Sequence, residues 1–321
     1  MTDPVGAADR LHDAVSGAID DVLAAATAPP GPIFVGWAAA GDAAACPAAY
    51  RAQGEDGWGF PGWSPALAAG AIARAALDLH LDDQRGGADR LPDPLEAVRG
   101  WMRAATSVGA RGVAGWVGEL RAERDTATLA AAAAAASRWL AGFVRVLGWP
   151  LPPGLALLNV TRDDAQGVAP RWWPRKGSPV SVGSGADARI GRVRGAGGHR
   201  LVVHRPAAGD DREVHGRATF EAAAGALVHR VAPVAVVVTA GDTSERARVE
   251  VDGDMLTAGG GMIVEVVRQR AVAVERGYDP ADATPSARCR WCDLRDACPP
   301  GRDWLAGAGR WRGGLPVVEV G

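Results

Sequence analysis

The sequence predicts a mixed α/β fold, with helices in the first half and a sheet after them. Three observations carry this prediction. Apolar residues recur at helical spacing through residue 148. From residue 154 the pattern changes to short β-branched runs with one helix between them. A long closing helix then leads into a cysteine loop.

The elements follow in order. Residues 8–27 predict a helix, with Leu11, Val15, Ile19, Val22 and Leu23 on one side and Ala28-Pro-Pro-Gly-Pro32 ending it. Residues 33–65 are rich in Gly, Trp and Pro and predict irregular chain, apart from a short helix from Cys46 to Gln53. Residues 65–82 predict a second helix, built from good formers. Residues 92–148 predict two or three helices, the last from Ala127 to Leu147.

Strands are predicted at Leu155–Val160, Val180–Val182, Ala186–Val193, Arg200–His204 and Val234–Thr239, with a hairpin turn at Gly195-Ala196-Gly197-Gly198. Helices are predicted at Arg217–Arg230 and Leu256–Gly277, and a compact loop at 285–304. No internal repeat is present. The chain divides into N-terminal helices (1–83), a helical insertion (84–165), an α/β core (166–304) and a tail (305–321), forming one compact unit.

The 321 residues carry a formal net charge of −2 and are 48% hydrophobic, so a packed core is expected and no general basic field is present. Any nucleic-acid surface has to be local. Lys176 is the only lysine. The N-terminus lacks a basic n-region, and the Ala run at 130–136 is short and weakly apolar. These features predict a cytoplasmic protein without membrane contact. In a reducing compartment, clustered cysteines favour metal ligation over disulfides.

Cys289, Cys292 and Cys298 stand in a C-x2-C-x5-C spacing, within Cys-Arg-Trp-Cys-Asp-Leu-Arg-Asp-Ala-Cys-Pro-Pro-Gly. A tight turn converges the first two sulfurs, and the third folds back from one short loop further on. The fourth cysteine, Cys46, lies far upstream in Cys-Pro-Ala-Ala-Tyr-Arg. Four thiolates suit either tetrahedral zinc or an iron–sulfur cluster, and spacing alone does not separate them.

This split pattern resembles the iron–sulfur staple of RecB-like PD-(D/E)XK nucleases, which include AddB-type helicase–nucleases and the CRISPR adaptation nucleases. The resemblance covers roughly 40–53 and 180–303. It implies a restriction-endonuclease-like core closed by a [4Fe–4S] cluster on Cys46, Cys289, Cys292 and Cys298. It implies DNA, a helicase or another protein as partner.

The similar nucleases also carry a helix with Gly and, four residues on, His; a Gly-x-x-Asp strand; a next strand with Asp/Glu-x-Lys; and a helix with Gln and Tyr. Two carboxylates there hold Mg²⁺, which activates water. Here Gly70 is followed by Arg74 at the histidine position. Ser184 or Gly185 precedes Asp187, the surviving first carboxylate and a possible Mg²⁺ ligand. In the next strand Val203 stands at the second carboxylate and Arg205 at the lysine. Glu221 or Thr219 falls near the glutamine.

No lysine follows Asp187 anywhere in the chain, and arginine is not equivalent in its fork and fixed protonation. The pattern predicts a catalytically impaired relative. One alternative is an active Mg²⁺-dependent nuclease with a carboxylate relocated to Asp210, Asp211 or Glu213; another is a partner-binding subunit that never touches nucleic acid. Asp187 also suits pairing with Arg189 or Arg192, and His204 beside Arg205 suits either phosphate contact or a solvated strand face. Arg171-Trp172-Trp173-Pro174-Arg175-Lys176 mixes aromatics and cations, which suits either base stacking with phosphate contact or packing of the helical insertion.

Overall fold

A computed structural model describes residues 3–27, 31–52, 64–83, 93–105, 113–147, 155–160, 171–186, 188–192, 199–205, 211–240, 246–276, 279–286, 289, 292 and 294–308. The chain is mixed α/β and mostly helical, with two small mixed sheets.

Helix α1 (Pro4–Ala25) starts where Asp3 accepts a hydrogen bond from the Gly6 amide at 2.9 Å, with Pro4 at its first position. It buries Ala7, Ala8, Leu11, Val15 and Ile19, the stripe that the periodicity predicts. Strand β1 (Ile33–Val35) and helix α2 (Trp37–Ala45) follow, where the composition predicts irregular chain. A three-residue strand carries almost no local signal; it exists because it pairs in parallel with strand β4 (Val180–Gly183). Helix α3 (Pro47–Ala52) is the short helix expected after Cys46.

Helices α4 (Pro65–Asp83), α5 (Pro94–Ala104), α6 (Val113–Ala122) and α7 (Thr126–Leu147) pack on one another. By length and composition, Thr126–Arg145 of α7 passes as a membrane-crossing segment, although the Ala run alone predicts none. Here its Trp139, Leu140 and Phe143 are buried against α4. Arg121 on α6 donates to the carbonyls of Met102, Arg103 and Ala105, satisfying the open C-terminal end of α5.

The larger sheet runs β2 (Leu155–Val160), β5 (Ala188–Arg192), β6 (Arg200–Arg205), β7 (Ala235–Ala240) and β8 (Arg246–Glu250) in spatial order. Neighbours are antiparallel except β6 and β7, which are parallel and joined through helix α8 (Asp211–His229). Strand β2, grouped by the sequence with the helical insertion, is therefore an edge strand of this sheet. The predicted turn at 195–198 lies outside the described residues. The smaller sheet is β1-β4-β3, where β3 is Arg171–Trp172.

Alternation along β6 assigns the two faces of the larger sheet. Leu201 and Val203 enter one core with α1, α8 and α9 (Gly253–Arg276). Val202 enters a second core made by α4–α7. The helical segment thus packs on one face at β5, β6 and β7, giving three layers. Helix α8 is buried without a break from Ala218 to Leu227, so α9 must come very close to it. Gly259 and Gly260 permit this: a Cβ at 259 would lie 2.4 Å from the Thr219 carbonyl oxygen, and one at 260 would lie 3.0 Å from Leu11 and Val15. The α10 helix (Pro299–Ala308) closes the described chain where a loop was expected.

Gly259→Ala is expected to cost about 1–3 kcal/mol, because the obstacle is backbone and the helix propensity gain is smaller. Urea midpoints of mutant and wild type check it.

His199 is buried beside Arg189 and His229. Burial first, then the Arg189 charge, pushes His199 down to about 3 and His229 to about 4. Both imidazoles are neutral in the fold, while the unfolded chain protonates them below about pH 6.5. Their contribution is complete above that pH and is lost progressively as pH falls toward 4. The expected slope is about 1.4 kcal/mol per pH unit for each histidine. Unfolding at pH 7.5 and 5.5 measures it, and His199→Gln should remove roughly half.

Candidate functional site

Helix α3 positions the first cysteine. Cys46 caps the end of α2, donating its amide to the Asp42 carbonyl at 3.0 Å, and its own carbonyl accepts from Tyr50. Tyr50 is buried under the guanidinium of Arg270 on α9, 4.2 Å from the ring centre. Burial raises its phenol above the ordinary value, against the opposing pull of Arg270. The next residue, Arg51, has a buried side chain paired with Asp282, in the 3₁₀ turn Pro280–Asp282. Together these contacts dock α3 on α9 and on the chain just ahead of the C-terminal cysteines.

The C-terminal thiols are held by tight turns. The Cys289 amide donates to Ser286, that of Cys292 to Cys289, and that of Arg295 to Cys292, at 3.0, 3.4 and 2.9 Å. Two sulfurs accept backbone amides: Ser286 to Cys289 Sγ at 3.4 Å and Gly301 to Cys298 Sγ at 3.3 Å. A Cβ at Gly301 would sit 3.2 Å from Cys298 Sγ and 3.5 Å from Cys289 Sγ, so both sulfurs converge on that glycine.

Burial pushes the Cys292 thiol up, the Leu294 amide works against it, and the charges of Cys289, Cys46 and Cys298 push it further up. The other three thiols therefore stand within electrostatic reach of Cys292. None is in a disulfide. Among the described residues, no group of three or more His, Cys, Asp or Glu is gathered closely enough to hold a metal ion.

The nuclease positions fare differently. Asp187 and Asp210 lie outside the described residues. Arg205 ends β6, and nothing is described of its side chain. Val203 is 1% exposed in the core beneath α8, so an apolar contact occupies the second carboxylate position. Asp211 and Glu213 open α8 and are exposed. Arg74 lies over the Trp139 ring at 5.7 Å, a packing contact with α7.

His204 fits neither expectation. It is 5% exposed, its Nδ1 is 2.6 Å from Thr239 Oγ1, and Trp139 meets it edge-on at 4.7 Å. The alternation of β6 turns it into the helical core, away from both solvent and phosphate.

Glu221, near the expected glutamine, is fully buried. It accepts from the Ser184 hydroxyl at 2.9 Å and the Gly185 amide at 2.8 Å, and pairs with Arg217 at 3.0 Å. Arg217 also donates to the Gly185 carbonyl and lies over Trp37. This carboxylate fastens the chain leading from β4 toward position 187. The residues that sequence reasoning passed over, Arg51, Asp282, Arg270 and Arg217, act through contacts distant in the chain or through burial.

In comparisons with known proteins, no family model matches the chain and no curated protein matches it.

Glu221→Gln is expected to leave Arg217 largely buried without a counter-ion and to cost about 3 kcal/mol, read as a lower urea midpoint. Arg51→Ala is expected to cost about 1–2 kcal/mol, because exposed Asp282 rehydrates while the Arg51 stem loses its packing. The same measurement checks it.

Proposed function

We propose that the chain is a RecB-type PD-(D/E)XK nuclease relative that holds a [4Fe–4S] cluster, has lost metal-dependent cleavage and serves by binding DNA or a partner protein such as a helicase in the cytoplasm. One observation carries this reading: the Cys289 and Cys298 sulfurs converge beside Gly301, with Cys46, Cys289 and Cys298 all within electrostatic reach of Cys292. Four thiolates suit either tetrahedral zinc or a cubane with one thiolate at each iron corner, and the split cysteine spacing, which resembles that of the RecB-type nucleases, favours the cubane. Burial and mutual repulsion both disfavour four bare thiolates, and amide donors to two sulfurs favour anionic sulfur.

When bound, the cluster would supply a cross-link between distant parts of the chain. The chain's own residues supply the rest: Tyr50, Arg51 and Asp282 orient Cys46, and Gly301 leaves room beside two sulfurs. The order of strand β5, antiparallel strand β6 and helix α8 supports a nuclease-like core, since the similar nucleases carry their motifs in that order. Loss of cleavage is supported by Val203 in the core, by Glu221 tied to Arg217, and by the absence of any lysine after Asp187. A structural cluster outlives catalysis because its binding energy is folding energy.

Anaerobically purified protein is expected to contain about four irons per chain with matching acid-labile sulfide, and Cys46→Ser to lose most of both. Zinc without iron or sulfide sinks the cluster. No cleavage of single- or double-stranded DNA is expected with Mg²⁺ or Mn²⁺. Cleavage that Asp187→Ala abolishes would instead support a rebuilt active site.

A further inference from the structure

The outer face of the small sheet β1-β4-β3 has an unusual composition. Ile33 and Val35 point inward with Val180, Val182 and Trp172, all buried. By alternation Phe34, Ser181, Gly183 and Arg171 share the opposite face, where Phe34 and Arg171 are exposed and Ser181 and Gly183 lie buried. An outward strand position on a half-solvated sheet is normally polar, yet Phe34 is 50% exposed. The next residue after β3, Trp173, is 49% exposed. Among the described residues, these two are the exposed large aromatics, and both flank this sheet.

The Phe34 ring is held flat by its surroundings. A Cβ at Gly183 would lie 2.9 Å from the ring, and one at Gly36 would lie 3.2 Å from it. The ring therefore occupies the space above two glycines, across β4. The Arg171 guanidinium lies over the same ring at 4.7 Å, so that a planar cation backed by the ring presents the flat surface at this point. Arg175 and Lys176 follow on the adjacent turn, both exposed. Arg175 is shared with Asp20 at 3.4 Å, whereas Arg171 and Lys176 have no ion pair among the described residues.

We propose that this face, Phe34 and Trp173 with Arg171 and Lys176, is a stacking platform for single-stranded nucleic acid. Flat aromatic and guanidinium surfaces take unpaired bases by their π-faces, and neighbouring cations take the phosphates. A duplex cannot use such a platform, because its bases are already stacked. The face also adjoins the remnant site: β4 runs from Gly183 into Ser184 and Gly185, which Glu221 anchors two residues short of Asp187. In this chain of low net charge, a local patch of this kind supplies the nucleic-acid surface that composition as a whole does not.

The inference rests on the DNA-binding reading above. Its test is fluorescence anisotropy with anaerobically purified full-length protein at two salt concentrations. The probes are labelled oligodeoxythymidylate of about twenty nucleotides, a duplex of equal length, and an abasic strand with the same backbone. Expected results are single-strand binding that weakens about tenfold in Phe34→Ala and in Trp173→Ala, and a smaller salt dependence in Arg171→Ala/Lys176→Ala. The abasic strand is expected to bind about tenfold more weakly than the thymidylate strand, a comparison that needs no variant to fold. Equal binding of abasic and thymidylate strands, or an unchanged affinity in the folded Trp173→Ala protein, overturns the platform alone. Binding to no oligonucleotide overturns both the platform and the DNA-binding role, and leaves this face to a protein partner.

Discussion

The structure depends on burying α8 between the larger sheet and α9. From Ala218 to Leu227 no residue of α8 is exposed, so this stretch of the helix has no polar face to offer water. Small residues meet that constraint. Alanines line α8, and Gly259 and Gly260 let α9 approach both α8 and α1. The constraint also fixes the fate of Glu221, since a fully buried carboxylate must be paired and hydrogen-bonded. Arg217, Ser184 and Gly185 provide this, and in doing so hold the end of β4. The Glu221 carboxylate is thereby committed to architecture.

The cysteine site follows from the same packing. Helix α9, fixed against α8 and α1, carries Arg270, which receives Tyr50 and docks α3. Docking of α3 brings Cys46 to the loop of Cys289, Cys292 and Cys298, and Arg51 with Asp282 holds it there. In the cluster-bound form proposed above, the loop closed between Cys46 and Cys289 would be long. Closure entropy grows only logarithmically with length, so a cross-link at this point removes much freedom from the unfolded chain. Four thiols near one another are unfavourable as bare thiolates, and a cationic centre relieves that repulsion.

Long periodic elements were legible in the sequence. Strand β2 falls on its predicted residues, and α4 and α7 come within one residue of theirs at each end, because apolar periodicity over many residues outweighs local noise. Short elements were not. Strands β1 and β3 span three residues and two, and each exists only through its pairing with β4. Strand β8, rich in arginine, pairs along β7 as an edge. Helix α8 begins six residues earlier than its apolar pattern, at Asp211 instead of Arg217, because its first turns are polar and exposed. The aromatic–cationic run at 171–176 was visible, but its split was not. Trp172 is buried edge-on to His12, while Trp173 faces out.

The sequence by itself determined the composition of the cysteine set, the loss of lysine and the position of Val203 along β6, because these are facts of residue type and spacing. Whether those residues meet was decided by tertiary structure. Cys46 reaches the other thiols through α3 and α9, His204 turns inward because β6 is covered on both faces, and Phe34 joins Arg171 because β4 lies between their strands with a glycine at the crossing. Each outcome rests on contacts between segments far apart in the chain. Their energy comes from excluding water between surfaces, which no local window of sequence contains.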